Sequence, residues 1–158
     1  MSKVAIKFSR SIDGEPVTRE DLFELGLTKL ADFEHLGKLI DIEDCISNLQ
    51  MAVGLTDDSH TDKPTILSNL GQSQLARFDR LGELTDLAHS ISNLRRATQL
   101  ANDRHPDKAR CHSDLGISQA VRFIRLGELT DIEDSIADPP KCSSDYQILS
   151  SRQGNMPC

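Results

Sequence analysis

The stretch SNLGQSQLARFDRLGELTDLAHSIS at Ser68–Ser92 recurs as SDLGISQAVRFIRLGELTDIEDSIA at Ser113–Ala137. The two copies align without a gap at an offset of 45 residues, the distance from Gly71 to Gly116. A looser copy, FELGLTKLADFEHLGKLIDIEDCIS, begins at Phe23 with the same offset. A period of this length indicates a chain built from repeated structural units.

Apolar residues inside one period follow the spacing of an α-helix rather than that of a strand. Two stripes are present, one of Leu67, Leu70, Leu75, Phe78 and Leu81 and one of Leu84, Leu87, Ile91, Leu94 and Ala97. Gly82 lies between them, where a residue without Cβ can adopt the left-handed conformation that ends a helix. Gly37 and Gly127 share its register. The pattern predicts first helices at about 18–36, 63–81 and 107–126, and second helices at about 39–55, 84–102 and 129–137.

Signals at the helix starts and inside the helices support these boundaries. Asp62 precedes Lys63 and Pro64, which predicts a capping carboxylate followed by a proline in the first turn. Thr18 and Asp21 have the spacing of a capping box. Gly71 falls in mid-helix, where glycine costs about 1 kcal/mol relative to alanine. Its recurrence in the other two copies predicts close approach of the paired helix.

Composition restricts the classes of partner. Aromatic residues make up only 4% and Trp is absent, so any core must rest on Leu, Ile, Val and Ala. A net charge of −7 disfavours nucleic acid and anionic membrane surfaces, which bind clustered Lys and Arg. The four cysteines match no C-x-x-C pattern, and the N-terminus has no apolar signal-peptide core. We therefore expect a cytoplasmic protein with free thiols.

No catalytic, metal-binding or cofactor-binding motif stands out, so we expect no enzyme, metal or cofactor. His60 and His105 are one period apart, which favours a structural role in a turn over a metal site. The acidic clusters at 41–44 and 131–134 open second helices, where negative charge is favourable.

Arg77 and Arg122 share one register. They either pair with carboxylates of neighbouring helices, which we favour, or form a basic strip for an acidic peptide.

The turns HTDKPTILSNLG at His60–Gly71 and HPDKARCHSDLG at His105–Gly116 resemble those of the tetratricopeptide repeat (TPR). The likeness is nearest to the longer variant of kinesin light chains. The segment at Arg77–Asp86 and Arg122–Asp131 resembles repeats multiplied in arrays of mushroom-forming fungi. The resemblance implies an all-α solenoid of antiparallel helix hairpins, with about two and a half to three repeats of 45 residues. It covers roughly residues 18–137, although the period exceeds the usual 34 residues.

The same resemblance implies that a concave surface formed by the first helices binds a protein or peptide partner. Its candidate contacts lie two residues before and one residue after the recurring glycine. They are Glu24, Leu27, Asn69, Gln72, Asp114 and Ile117. This row lacks the Lys and Arg that clamp a terminal carboxylate in chaperone-binding repeats, so we do not expect that ligand.

The predicted domain organisation is an N-terminal extension at 1–17, a repeat domain at 18–137 and a disordered tail at 138–158. The proline pair Pro139-Pro140 interrupts the third unit. An interaction scaffold is the leading hypothesis. The alternative is a truncated segment of a sensor arm of a larger signalling protein, with a nucleotide-binding switch or caspase-like protease domain and no ligand of its own. An uncapped C-terminal repeat also predicts self-association.

Overall fold

The computed structural model describes residues 17–127, and this part of the chain is entirely α-helical apart from its turns. Its helices are α1 (Arg19–Leu36), α2 (Leu39–Leu55), α3 (Lys63–Leu81), α4 (Leu84–Leu100) and α5 (Lys108–Leu126). All five lie where the sequence predicts them, and their ends agree to within two residues. The predicted helix at 129–137, the tail at 138–158 and nearly all of the N-terminal extension lie outside the described residues.

Left-handed glycines end the three first helices, as predicted. Gly37, Gly82 and Gly127 have φ angles of 65°, 71° and 71°. The N–H of each donates to the carbonyl of the phenylalanine four residues earlier, at 2.7 Å. The capping box at the start of α1 is also confirmed, because Asp21 N donates to Thr18 Oγ1 at 3.1 Å and Thr18 N donates to Asp21 Oδ2 at 2.9 Å.

The predicted capping role of the Asp62 carboxylate is wrong. Asp62 already has helical backbone angles (φ −84°, ψ −10°), and its side chain makes no capping bond to α3. A capping side chain requires an extended backbone at that residue. Instead, Nδ1 of His60 accepts from Asp62 N at 3.1 Å, and Nδ1 of His105 accepts from Asp107 N at the same distance. Both histidines thus have the structural role in the turn that was predicted.

Consecutive helices pack as hairpins, and each hairpin packs on the next. α1 pairs with α2 and α3 with α4, while α2 also contacts α3 and α4 contacts α5. Leu70 of α3 is buried in a cluster with Phe33 of α1 and Ile42 of α2. Cys111 of α5 is buried against Leu67 of α3 and Ala97 of α4, so a continuous core links the units.

Small residues in mid-helix allow the paired helices to approach closely, as predicted. A Cβ added at Gly26 would lie 2.8 Å from Cγ of Leu49, and one added at Gly71 would lie 2.6 Å from Cγ of Leu94. Real Cβ atoms do not come this close to carbon. At Gly116 no such neighbour lies within 4 Å, and the predicted partner helix falls outside the described residues.

At the hairpin turns, fewer apolar residues are buried than the apolar stripes of the sequence predict. Leu81 and Leu84, assigned above to the two apolar stripes, are 46% and 51% exposed. They flank Gly82 at the end of the hairpin, where no further helical turn covers them. Burial is concentrated instead around Phe78, Leu87 and Ile91.

In α2 and α4, the two second helices that the structure describes, a buried carboxylate in the first turn pairs with a cation of the preceding first helix. Arg77 Nε and Nη2 donate to Asp86 at 2.8 and 2.5 Å, which confirms for Arg77 the predicted ion pair with a neighbouring helix. In the first unit Asp32 replaces this arginine, and Lys29 donates to Asp41 at 2.9 Å. Within the described helices, none is long and apolar enough to cross a membrane.

Candidate interaction surface

The central helix α3 packs against α1, α2, α4 and α5, and five of its residues, four half-buried and one exposed, form a strip towards solvent. The strip runs through residues spaced alternately by four and three positions, which places them on one helix face. The equivalent positions on α1 and α5 extend it across three first helices. We call this surface the open stripe. It consists of Glu20, Glu24, Leu27, Ala31 and Glu34 on α1, Thr65, Asn69, Gln72, Ala76 and Asp79 on α3, and Arg110, Asp114, Ile117, Val121 and Ile124 on α5.

All six candidate contacts predicted from the sequence belong to the open stripe. Leu27 and Ile117 are exposed, and Gln72 is half-buried between them in the repeat register. Glu24 is also exposed. These four side chains are available to a partner on one face of the molecule.

The remaining two candidates take part in internal hydrogen bonds. Asp114 is only 8% exposed, and Oδ2 of its carboxylate accepts from Ser68 Oγ at 2.8 Å. Asn69 is half-buried, and its Nδ2 donates to the Thr65 carbonyl at 2.8 Å. Asp114 therefore joins α3 to α5, and Asn69 has one amide proton engaged within α3.

Polar contacts fix the position of α5 along the open stripe. Thr65 Oγ1 donates to Oδ2 of Asp107 at 2.5 Å, and this hydrogen bond, with Arg110 nearby, lowers the pKa of the Asp107 carboxyl. His105 Nε2 lies 2.7 Å from the Thr61 carbonyl in the adjoining turn. The stripe is therefore a surface of defined shape, since hydrogen bonds as well as apolar packing hold its helices in register.

Pairs of small polar groups join α2 to α3 and α4 to α5. Cys45 Sγ lies 3.1 Å from Ser73 Oγ, and one repeat later Ser90 Oγ lies 3.1 Å from Ser118 Oγ. Cys45 and Cys111 are both fully buried free thiols, and burial raises the pKa of each. Protonated thiols without exposure are poor nucleophiles. These cysteines therefore contribute to packing.

Lys63 is a structural residue that the sequence interpretation missed. It is almost fully buried, and its Nζ donates to the carbonyls of Val53 and Thr56 at 2.6 and 2.5 Å. The ammonium group thereby binds two carbonyls at the end of α2, of which the Val53 carbonyl also accepts from Thr56 N at 3.3 Å. The available signal was the recurrence of lysine at Lys108 in the same turn.

A cleft between α4 and α5 is an alternative site in the described part of the chain. Its volume is about 460 Å³, and Arg95, Arg96 and Arg122 line it. Arg96 Nη2 binds both carboxylate oxygens of Asp58 at 2.6 Å, which lowers the pKa of that carboxyl. Arg95 and Arg122 also have interaction partners. The arginines of the cleft thus already serve the protein's own structure.

Across residues 17–127, the structure gathers no group of three or more His, Cys, Asp or Glu side chains that could hold a metal ion. Comparison of the chain with protein-family models, with curated proteins and with solved structures finds no match in any of the three.

Proposed function

We propose that this chain is a cytoplasmic interaction scaffold of the TPR type, akin to fungal repeat arrays, which binds a protein or peptide partner along the open stripe. Catalysis is not part of the proposal. The observation that carries it is the environment of α3, which packs against four helices yet keeps a strip of half-buried, mostly uncharged side chains at the surface.

The surroundings of the strip also support a binding role. Asp79 is the one ionisable residue of the strip on α3, next to the uncharged side chains of Thr65, Asn69, Gln72 and Ala76. Interface cores are depleted in charged residues, while amide and hydroxyl groups can bond to a partner's backbone. The buried free thiols Cys45 and Cys111 agree with a reducing compartment.

An affinity capture from the source cells, with two matched arginine variants, tests the proposal. Gln72→Arg places a bulky cation in the middle of the open stripe, and Ser47→Arg places the same group on the exposed outer face of α2. A partner that uses the stripe is retained by the wild type and by Ser47→Arg but lost from Gln72→Arg. Equal retention by all three proteins, or capture of nothing above background, would reject the proposed function.

The sensor-arm alternative is supported by one observation at α1. Leu25 is 46% exposed, whereas Leu70 in the same register one repeat later is 3% exposed because a preceding hairpin covers it. A further hairpin or a second copy of the chain could bury Leu25 in the same way. Sedimentation velocity and thermal melting together distinguish the two functions. A protein that sediments as a monomer and melts in a sharp transition contradicts the alternative. The self-association predicted through the last repeat involves residues outside the described range.

A further inference from the structure

The chemical character of the open stripe changes from α1 to α5. On α1 the exposed residues Glu20, Glu24 and Glu34 carry three carboxylates, and Glu20 pairs with its neighbour Arg19 at 2.6 Å. In the part of the chain that the structure describes, neither Glu24 nor Glu34 forms an ion pair. The α1 end of the stripe therefore offers negative charge to an incoming ligand.

The α5 end offers apolar surface instead. Arg110 lies 3.4 Å from Asp107 and 3.9 Å from Asp114, so the charged groups at the start of this helix are already paired with one another. Further along α5, Ile117 and Ile124 are 53% and 77% exposed. These isoleucines share the register of Gln72 and Asp79, which remain on the open strip of α3 even though α5 packs beside them. If another helix packed beside α5 in the same way, Ile117 and Ile124 would therefore still face the open stripe.

We propose that the open stripe binds a segment of a partner protein that carries Lys or Arg at one end and aliphatic side chains at the other. The cationic end lies over Glu24 and Glu34, and the aliphatic end contacts Ile117 and Ile124. This inference rests on the proposed function. Charge complementarity selects the orientation of the segment, and buried aliphatic contacts supply the larger share of its affinity.

The helix spacing sets the distance between the two ends. Packed helices lie about 8–10 Å apart, so α1 and α5 are separated by about 16–20 Å across α3. An extended chain advances about 3.3 Å per residue. The basic and aliphatic side chains of an extended ligand are then about five or six residues apart, with a neutral stretch over Gln72 and Asn69.

The test is selection of random 14-residue peptides, displayed on their own messenger RNA, against the full chain. Two variants accompany the wild type. Glu24→Lys/Glu34→Lys reverses two charges at the α1 end, and Glu43→Lys reverses one charge on the outer face of α2. Enriched peptides from the wild type and from Glu43→Lys should combine a basic block with an aliphatic block at the stated spacing. The doubly reversed protein should bind those peptides at least about threefold more weakly for each reversed charge, and should instead enrich peptides with Asp or Glu in that block.

The outcomes separate this inference from the proposed function. Suppose that the enriched peptides lose binding to Gln72→Arg and yet show no basic bias, or an acidic one. That result would overturn the inference and leave the function of the stripe supported. If no enriched peptide loses binding in Gln72→Arg, both the inference and the proposed function are wrong. Circular dichroism of each variant confirms folding, and Ile124→Asp provides an independent check because it should weaken the aliphatic preference without changing the basic one.

Discussion

Replacing Gly71 with alanine should destabilise the protein, although alanine is the better helix former. The added Cβ would lie 2.6 Å from Cγ of Leu94 and 3.1 Å from the carbonyl oxygen of Ser90. Carbon atoms in favourable contact are about 3.5–4.0 Å apart. Leu94 is completely buried, so it has no solvent to move into.

The size of the effect follows from two opposing contributions. Overpacking a well-filled core costs about 1–3 kcal/mol, and an overlap of this depth belongs in the upper part of that range. The higher helix propensity of alanine offsets about 1 kcal/mol of this cost. We expect the free energy of unfolding to fall by about 1–2 kcal/mol.

Urea unfolding followed by far-UV circular dichroism measures this change, with Gly54→Ala as the matched control. Gly54 lies in the last turn of α2, and a Cβ added there meets nothing within 4 Å. The control should therefore be neutral or stabilising by up to about 1 kcal/mol.

A second background isolates the contact itself. In a Leu94→Ala protein the space above Gly71 is vacant, so Gly71→Ala should no longer destabilise, and the coupling between the two sites should exceed about 1 kcal/mol. If Gly71→Ala raises the stability of the otherwise wild-type chain as much as Gly54→Ala does, the proposed reason for the recurring glycine is refuted.

Three further changes test the polar contacts that join the helices. Lys63→Met should cost about 2 kcal/mol in urea unfolding, because carbonyls at the end of α2 lose a charged donor, whereas Lys38→Met on the surface should cost little. Arg77→Gln should cost about 2–3 kcal/mol, since the Asp86 carboxylate, with a side chain only 4% exposed, loses its cation; an unchanged urea midpoint would contradict this. Thr65→Val should lower stability at pH 7 by about 1 kcal/mol. The lowered pKa of Asp107 means that this difference is present above about pH 4 and disappears as pH falls through the folded-state pKa; a difference that persists at pH 2 would contradict the assignment.

The helix boundaries could be predicted from the sequence where a single residue marks the end. Gly37 and Gly82 each end a helix at the expected place because only glycine readily adopts the left-handed angle there. For α4 the sequence pattern predicts an end at 102, two residues beyond the observed end at Leu100. Its cap residue, Ala101, has an ordinary extended backbone, so no residue type marks the boundary.

The hydrogen bonds of the candidate surface could not be predicted from the repeat register. Asn69 and Asp114 are equivalent in sequence, yet only Asp114 bonds to a neighbouring helix. The residue of the preceding first helix decides the difference. Ser68 offers a hydroxyl to Asp114, whereas Phe23, in the same register on α1, offers Asn69 no hydrogen-bonding group.

The buried position of Lys63 and its contacts could not be predicted from the sequence for a related reason. Its ammonium group reaches carbonyls of a different helix, and the direction of that contact depends on how the turn at 56–62 places α2 against α3. A sequence pattern can show that a lysine recurs, but not which carbonyls it meets. For Asp62 the sequence predicts a contact that does not form. Its residue type favours side-chain capping, but its backbone angles rule it out.

Site-specific photocrosslinking in the source cells tests the central claim most directly. A benzoylphenylalanine residue is introduced in place of Gln72, at the centre of the open stripe, and separately in place of Ser47 on the outer face of α2. The binding function predicts a discrete crosslinked adduct from the Gln72 position and none from the Ser47 position. Adducts at Ser47 alone, or the same pattern from both positions, would contradict the claim that the open stripe is the binding surface.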